Sequence, residues 1–156
     1  MGEPLAPGAV LFACNFNRVR SPMAEALLKR LAGNWIFVDS CGLKPPPLGA
    51  DPSEFGDGLD VDPFALAVMQ EVGCDLAGHR TKTFENLEDA SFDLVVSLTP
   101  EAQHRAVELT RGRAAQIEYW PTFDPTLVEG SREARLAAYR EVRDRLAARI
   151  SARFRR

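Results

Sequence analysis

The chain has 156 residues, 46% of them hydrophobic and 26% charged, with a formal net charge of −3. That length allows one domain to bury a substantial core without disulfides or metals, and the charge gives no electrostatic footing for nucleic acid as the main partner. No apolar stretch reaches the roughly 18–20 residues of a transmembrane helix, so a membrane is not expected as partner. MGEPLAPGAV (1–10) lacks the basic start and apolar run of a signal peptide, and Ala6 argues against myristoylation of the Met-Gly start. Cys14, Cys41 and Cys74 are isolated and odd in number, with no CxxC or His/Cys ligand spacing. Neither a disulfide framework nor a metal site is expected, and no cofactor; a reducing, cytoplasmic setting is.

AVLFAC (9–14) is a continuous apolar run, as in a strand buried on both faces. Pro22 opens a helix in which Met23, Ala26, Leu27, Arg30 and Leu31 follow helical spacing until Gly33. WIFVDS (35–40) reads as a second strand, and residues 44–62, rich in Pro, Gly and Asp, as a long surface loop of the size of a lid or binding loop. Pro63 begins a second helix carrying Phe64, Leu66, Ala67, Val68 and Val72, with Gly73 as its stop. FDLVVSL (92–98) is a third strand, Pro100 to Leu109 a third helix, and AQIEYW (115–120) a fourth strand. Ser131 is a fair N-cap for a last helix striped by Leu136, Tyr139, Val142, Leu146, Ile150 and Phe154. Strands alternating with helices predict a single three-layer α/β domain over 1–156 with a parallel sheet and the 44–62 loop inserted.

In such sheets ligands bind beyond the carboxyl ends of the strands, where a loop enters a helix N-terminus. Asn15, Phe16, Asn17, Arg18, Val19, Arg20 and Ser21 occupy that place after strand one. Backbone N–H groups and a helix dipole there favour an oxyanion and also a thiolate, so Cys14 is a candidate nucleophile. Arg20 could grip two phosphate oxygens as a planar fork, and Ser21 could donate to the sulfur. A nucleophile of this kind needs a general acid. Asp124, in a Pro-flanked loop at the same sheet end, suits that role better than Glu129. The plainer readings are a buried thiol for Cys14 and a turn for the Asp-Pro pair.

The run CNFNRVRSPMAEALL, followed by SCG (40–42), DPFA (62–65), GHRTK (78–82) and DP (124–125), resembles the low-molecular-weight protein tyrosine phosphatase family. The resemblance covers nearly the whole chain. It implies a four-stranded parallel sheet in order 2-1-3-4, no metal, and a cysteinyl-phosphate intermediate. By motif position Cys14 is then the nucleophile, Arg20 the phosphate clamp, Ser21 the partner of the thiolate and Asp124 the general acid. Asn17 would shape the loop in a left-handed conformation, with Ser40 supporting it.

The chain departs from the family at several points. Phe16 stands where glycine is usual, and would be strained if that position needs a positive φ. Arg18 replaces an apolar residue and adds charge near the mouth, while Val19 replaces a second cysteine, so no disulfide can form within the loop. Thr126 stands where an aromatic often packs on the substrate ring. SLTPEAQ (97–103) lacks an aspartate often found after strand three. Arsenate reductases share the scaffold, but their disulfide relay needs two cysteines after strand three, and residues 97–125 hold none. A relay is not expected, although arsenate would still fit the cradle.

His79 is read as a hydrogen-bonded loop residue that faces the site in the alternative case, and His104 as exposed. Asp51, Glu54, Asp57, Asp60 and Asp62 fit no calcium-loop spacing and read as a solvated acidic loop. Arginines crowd the last helix toward its C-terminus, in keeping with its dipole. Trp35, Trp120 and Phe123 read as core or pocket wall, with Trp120 and Phe123 candidates to replace the missing stacking aromatic. The expectation is a metal-independent phosphomonoester hydrolase acting on a phosphorylated protein or small phosphomonoester, with phosphate, vanadate or arsenate as oxyanion ligands. The alternatives are a non-catalytic phosphate-binding module and an arsenate reductase without an internal relay.

Overall fold

A computed structural model describes residues 7–46, 60–87 and 91–155. Four strands, β1 (Ala9–Cys14), β2 (Phe37–Gly42), β3 (Leu94–Ser97) and β4 (Gln116–Tyr119), pair in parallel in the order β2-β1-β3-β4. Between and after them run α1 (Arg20–Ala32), α2 (Pro63–Gln70), α3 (Pro100–Thr110) and α4 (Arg132–Phe154). The main core lies on one face of the sheet, where Phe12 and Val96 meet Met23, Leu28, Met69, Tyr139 and Ile150 from α1, α2 and α4. On the other face Leu11, Ala13 and Val95 pack on Ala102 and Ala106 of α3. Each large apolar side chain so buried contributes roughly 1.5–3 kcal/mol.

Most boundaries shift by one to three residues from those the sequence suggests, and two of these shifts bear on the site. β2 runs two residues later than 35–40, because it stays in register with β1 until Cys14 faces Gly42. Trp35 and Ile36 therefore lead into the strand instead of opening it. Helix α1 starts at Arg20, two residues before Pro22. Proline is tolerated there because its absent N–H would have been one of the unpaired donors of the first turn.

The caps are those expected of short polar side chains. Asp62 accepts from the Phe64 and Ala65 N–H groups, Thr99 from Ala102 and Ser131 from Ala134. Asp62 is buried and its second oxygen accepts from the Tyr139 hydroxyl at 3.0 Å. Asp60 accepts from the Thr81 N–H at 2.8 Å. These two acids are thus structural anchors, not the solvated loop residues expected. Most of the 44–62 loop, with Asp51, Glu54 and Asp57, lies outside the described residues. Among the described residues no helix is long and apolar enough to cross a membrane.

Candidate active site

Strand β1 delivers Cys14 to the carboxyl edge of the sheet, and residues 15–19 turn there before α1 begins. The turn depends on Asn17, whose φ of 59° is the only positive value among the described non-glycine residues. Asparagine accepts that conformation more readily than most residues. Phe16 does not adopt it, so the strain expected at that position is absent. Its ring instead stands 38% exposed on the outside of the turn.

Asn17 is completely buried, and its polar groups are matched in detail. Its side-chain amide donates to Ser21 Oγ and to Ser40 Oγ, both at 2.9 Å. Its Oδ1 accepts from the Lys82 N–H at 3.1 Å. Its carbonyl accepts from His79 Nε2 at 2.8 Å, which sets the proton of that ring on Nε2. Burial pushes the His79 pKa below the ordinary histidine range, so the ring is neutral at pH 7. His79 and Ser40 are therefore supports of the loop.

These bonds have a direction. Ser40 Oγ donates onward to Glu25 Oε1 at 2.5 Å and Ser21 Oγ accepts from Asn17, so the Ser21 proton is free to point elsewhere. Cys14 Sγ lies 2.9 Å from Ser21 Oγ, closer than the Cys41 carbonyl at 3.4 Å. Ser21 Oγ is thus within hydrogen-bond distance of the sulfur, with the Cys41 carbonyl as a second, more distant acceptor. Glu25, on the second turn of α1, was not visible as a participant.

Gly42 fixes the other wall. A Cβ there would sit 2.8 Å from the Phe16 carbonyl carbon and 2.9 Å from the Asn17 nitrogen. Only glycine lets the turn settle against the end of β2. The Leu43 and Lys44 N–H groups then bond the Cys14 and Asn15 carbonyls, both at 2.9 Å. Thr99 Oγ1 holds Asn15 Oδ1 at 2.7 Å, so a threonine cap tethers the cradle where an aspartate is common in the family.

Arg20 reaches across to the segment after β4. One terminal nitrogen donates to the Thr122 carbonyl at 2.9 Å, and the other lies 3.7 Å from Asp124 Oδ2. Asp124 Oδ1 accepts from the Thr126 N–H and hydroxyl at 3.0 and 2.6 Å, so Thr126 positions the carboxylate. The fold thereby brings Cys14, Arg20, Ser21 and Asp124 to one mouth.

Two expectations are revised. Arg18 turns away from the mouth: its Nε donates to the Asp60 carbonyl at 3.0 Å and its own carbonyl accepts from the Asp62 N–H, pinning the chain before α2. Trp120 is 2% exposed, packed on Phe12 and Phe154, and cannot stack on a ligand. Phe123, 58% exposed beside Asp124, can. Cys41 pairs with Ala13 and packs on the α3 side of the sheet, whereas Cys14 belongs to the other core. No group of three potential metal ligands occurs among the described residues.

The profile of the low molecular weight phosphotyrosine protein phosphatase family matches residues 9–154. Among individual proteins, the chain is 37% identical over 89 residues to a glutaredoxin arsenate reductase of Synechocystis, covering 57% of this chain and 58% of that protein. It is 29% identical over 141 residues to an arsenate reductase of Halalkalibacterium halodurans, covering 90% and 91% of the two chains. Among solved structures, an arsenate reductase in the phosphate-binding state superposes with a TM-score of 0.68 at 29% identity, over 92% of this chain and 94% of that one. An arginine phosphatase from Geobacillus stearothermophilus gives 0.69 at 25% identity, over 93% and 89%.

Proposed function

Because the chain belongs to the low molecular weight phosphotyrosine protein phosphatase family, we propose that it is a metal-independent phosphomonoester hydrolase working through a cysteinyl-phosphate intermediate. The observation that carries this reading is the 2.9 Å hydrogen-bond distance between Ser21 Oγ and Cys14 Sγ, within a loop whose shape Asn17 holds. Cys14 thiolate attacks phosphorus, forming the S–P bond as the P–O bond to the leaving group breaks. Arg20 exchanges its hold on Thr122 and Asp124 for two phosphoryl oxygens, and with the loop N–H groups it balances the equatorial charge of the transition state. Asp124 gives its proton to the leaving oxygen. Water then attacks phosphorus, Asp124 takes back a proton, and the S–P bond breaks to return the thiolate, stabilised by Ser21. The ligands are phosphate and its analogues vanadate and arsenate, and the substrate is a phosphorylated protein or a small phosphomonoester. The three free cysteines support a reducing, cytoplasmic setting.

A second reading, arsenate reduction, is favoured by the names of the relatives. It requires two electrons from thiols after arsenate joins Cys14. Cys41 lies on the far side of the sheet, so that electron pair would come from an external thiol. Steady-state hydrolysis of a chromogenic aryl phosphate between pH 5 and 8 tests the first reading. Turnover that vanishes in Cys14→Ser and falls sharply in Asp124→Asn supports it. No turnover, with arsenite formed from arsenate and a small thiol, would replace it by the reductase. Vanadate bound without either reaction would leave a phosphate-binding module.

A further inference from the structure

Immediately beside the acid-bearing loop lies a second concavity. A groove of about 750 Å³ runs between residues 120–123 and α4, lined on the helix by Glu141, Arg145 and Arg149 and on the loop by Pro121, Thr122 and Phe123. Its loop wall is part of the site: the Thr122 carbonyl holds Arg20, and Phe123 adjoins Asp124. From Glu141 to Arg149 the helix advances about 12 Å, the reach of three or four extended residues.

The groove has two unusual features. Phe123 exposes 58% of its surface at the end nearest Asp124, where nothing among the described residues covers it. Arg149 lies with its guanidinium 4.8 Å above the Trp120 ring, and no carboxylate of the described residues is within ion-pair distance of it. Among the described residues its neighbour Arg145 pairs with Glu141 alone, in a contact whose two side chains are 79% and 63% exposed. Such a pair is worth little and exchanges readily for another anion. Other arginines of the helix differ: Arg140 and Arg143 are committed to Glu71, and Arg153 to Glu118. Positive charge is thus available along this groove.

Taking the phosphatase reading as its basis, we infer that the groove seats the acidic segment flanking the phosphorylated residue of a protein substrate. The residue next to the phosphorylated one packs on Phe123, and carboxylates farther along meet Arg145 and Arg149. The preference is an exchange of weak, partly solvated ion pairs, so its size is about three- to tenfold, and it weakens as salt shortens the Debye length.

The test uses two phosphotyrosyl peptides identical except for glutamate or glutamine three to six residues on either side of the phosphotyrosine. Binding is read by fluorescence anisotropy on Cys14→Ser protein, which cannot form the thiophosphate, so the result does not depend on turnover. The glutamate peptide is expected to bind three- to tenfold tighter at low salt, with most of that margin gone at about 0.5 M salt. Arg145→Gln with Arg149→Gln abolishes the margin. Charge reversal, Arg145→Glu with Arg149→Glu, transfers it to a lysine-substituted peptide, which no loss of folding could do. Equal binding of the glutamate and glutamine peptides, or a margin that survives both double variants, overturns the inference. In the otherwise unaltered enzyme, the glutamine pair is expected to leave kcat/KM for the aryl phosphate within twofold. Loss of aryl phosphate turnover in the unsubstituted enzyme would instead count against the phosphatase reading alone.

Discussion

The two sides of the mouth are held in opposite ways. The cradle side is dry and over-determined: Asn17 alone engages Ser21, Ser40, Lys82 and His79, and Gly42 leaves the turn no space to move. The acid side is half-exposed and held lightly, by one Arg20 bond to the Thr122 carbonyl, a 3.7 Å ion pair and the local bonds from Thr126. A cradle for developing charge works by not reorganising when the charge forms. On the proposed mechanism Asp124 approaches leaving groups of different size and needs freedom, and an exposed short segment supplies it. Rigidity and adjustability are divided between two loops that Arg20 joins.

The largest break in this comparison is expected from Gly42→Val. The added side chain displaces backbone at Phe16 and Asn17, costing about 1–3 kcal/mol in urea unfolding, and aryl phosphate turnover is lost together with vanadate binding. Asp124→Asn should act in the opposite manner. It lowers kcat by about 10²–10⁴ while the unfolding midpoint and vanadate affinity stay essentially unchanged. Asn17→Gly separates shape from bonding on the cradle side. The left-handed backbone and its carbonyl bond to His79 are retained but the three side-chain bonds are lost, so stability falls by about 1–3 kcal/mol and kcat by about tenfold. A kcat unchanged in that variant would show that backbone shape alone organises the sulfur.

The smallest effect concerns His79. Burial lowers its pKa in the folded protein, so as pH falls through about 6.5 the unfolded chain takes up a proton that the folded ring resists. The unfolded state then binds more protons, and stability declines as pH falls from about 6.5 toward the lower folded value, with no change above that range. Urea midpoints at pH 7.5 and 5.5 should show this decline, and His79→Gln should shrink it.

What the sequence discloses follows the same division. Cys14, Asn17, Arg20, Ser21 and Ser40 were legible because the short loop spacing constrains them and the family resemblance places each one. Asp124 was legible from a Pro-flanked position at the right sheet end. Glu25, Gly42, Thr99 and Thr122 were not, because each acts through tertiary juxtaposition. Thr99 looks like an ordinary cap, and its second bond to Asn15 depends on β3 lying beside β1. Gly42 becomes necessary only once the strand register sets it against the turn. The concern over Phe16 came from assigning a family backbone angle to a position that does not adopt it. Trp120 was placed too near the ligand because proximity in sequence to Asp124 says nothing about which way a strand end faces.

The hydrogen bonds from Glu25 through Ser40, Asn17 and Ser21 to Cys14 have a polarity as well as a connectivity. A carboxylate can only receive and an amide nitrogen can only give, so every hydroxyl between them has its orientation decided by its neighbours. The directions therefore diverge from the Asn17 amide, through Ser40 to Glu25 on one side and to the Ser21 oxygen on the other, as two compass needles are turned by one magnet between them. Replacing Asn17 by aspartate would leave each atom nearly in place and still remove the donor from which both directions start.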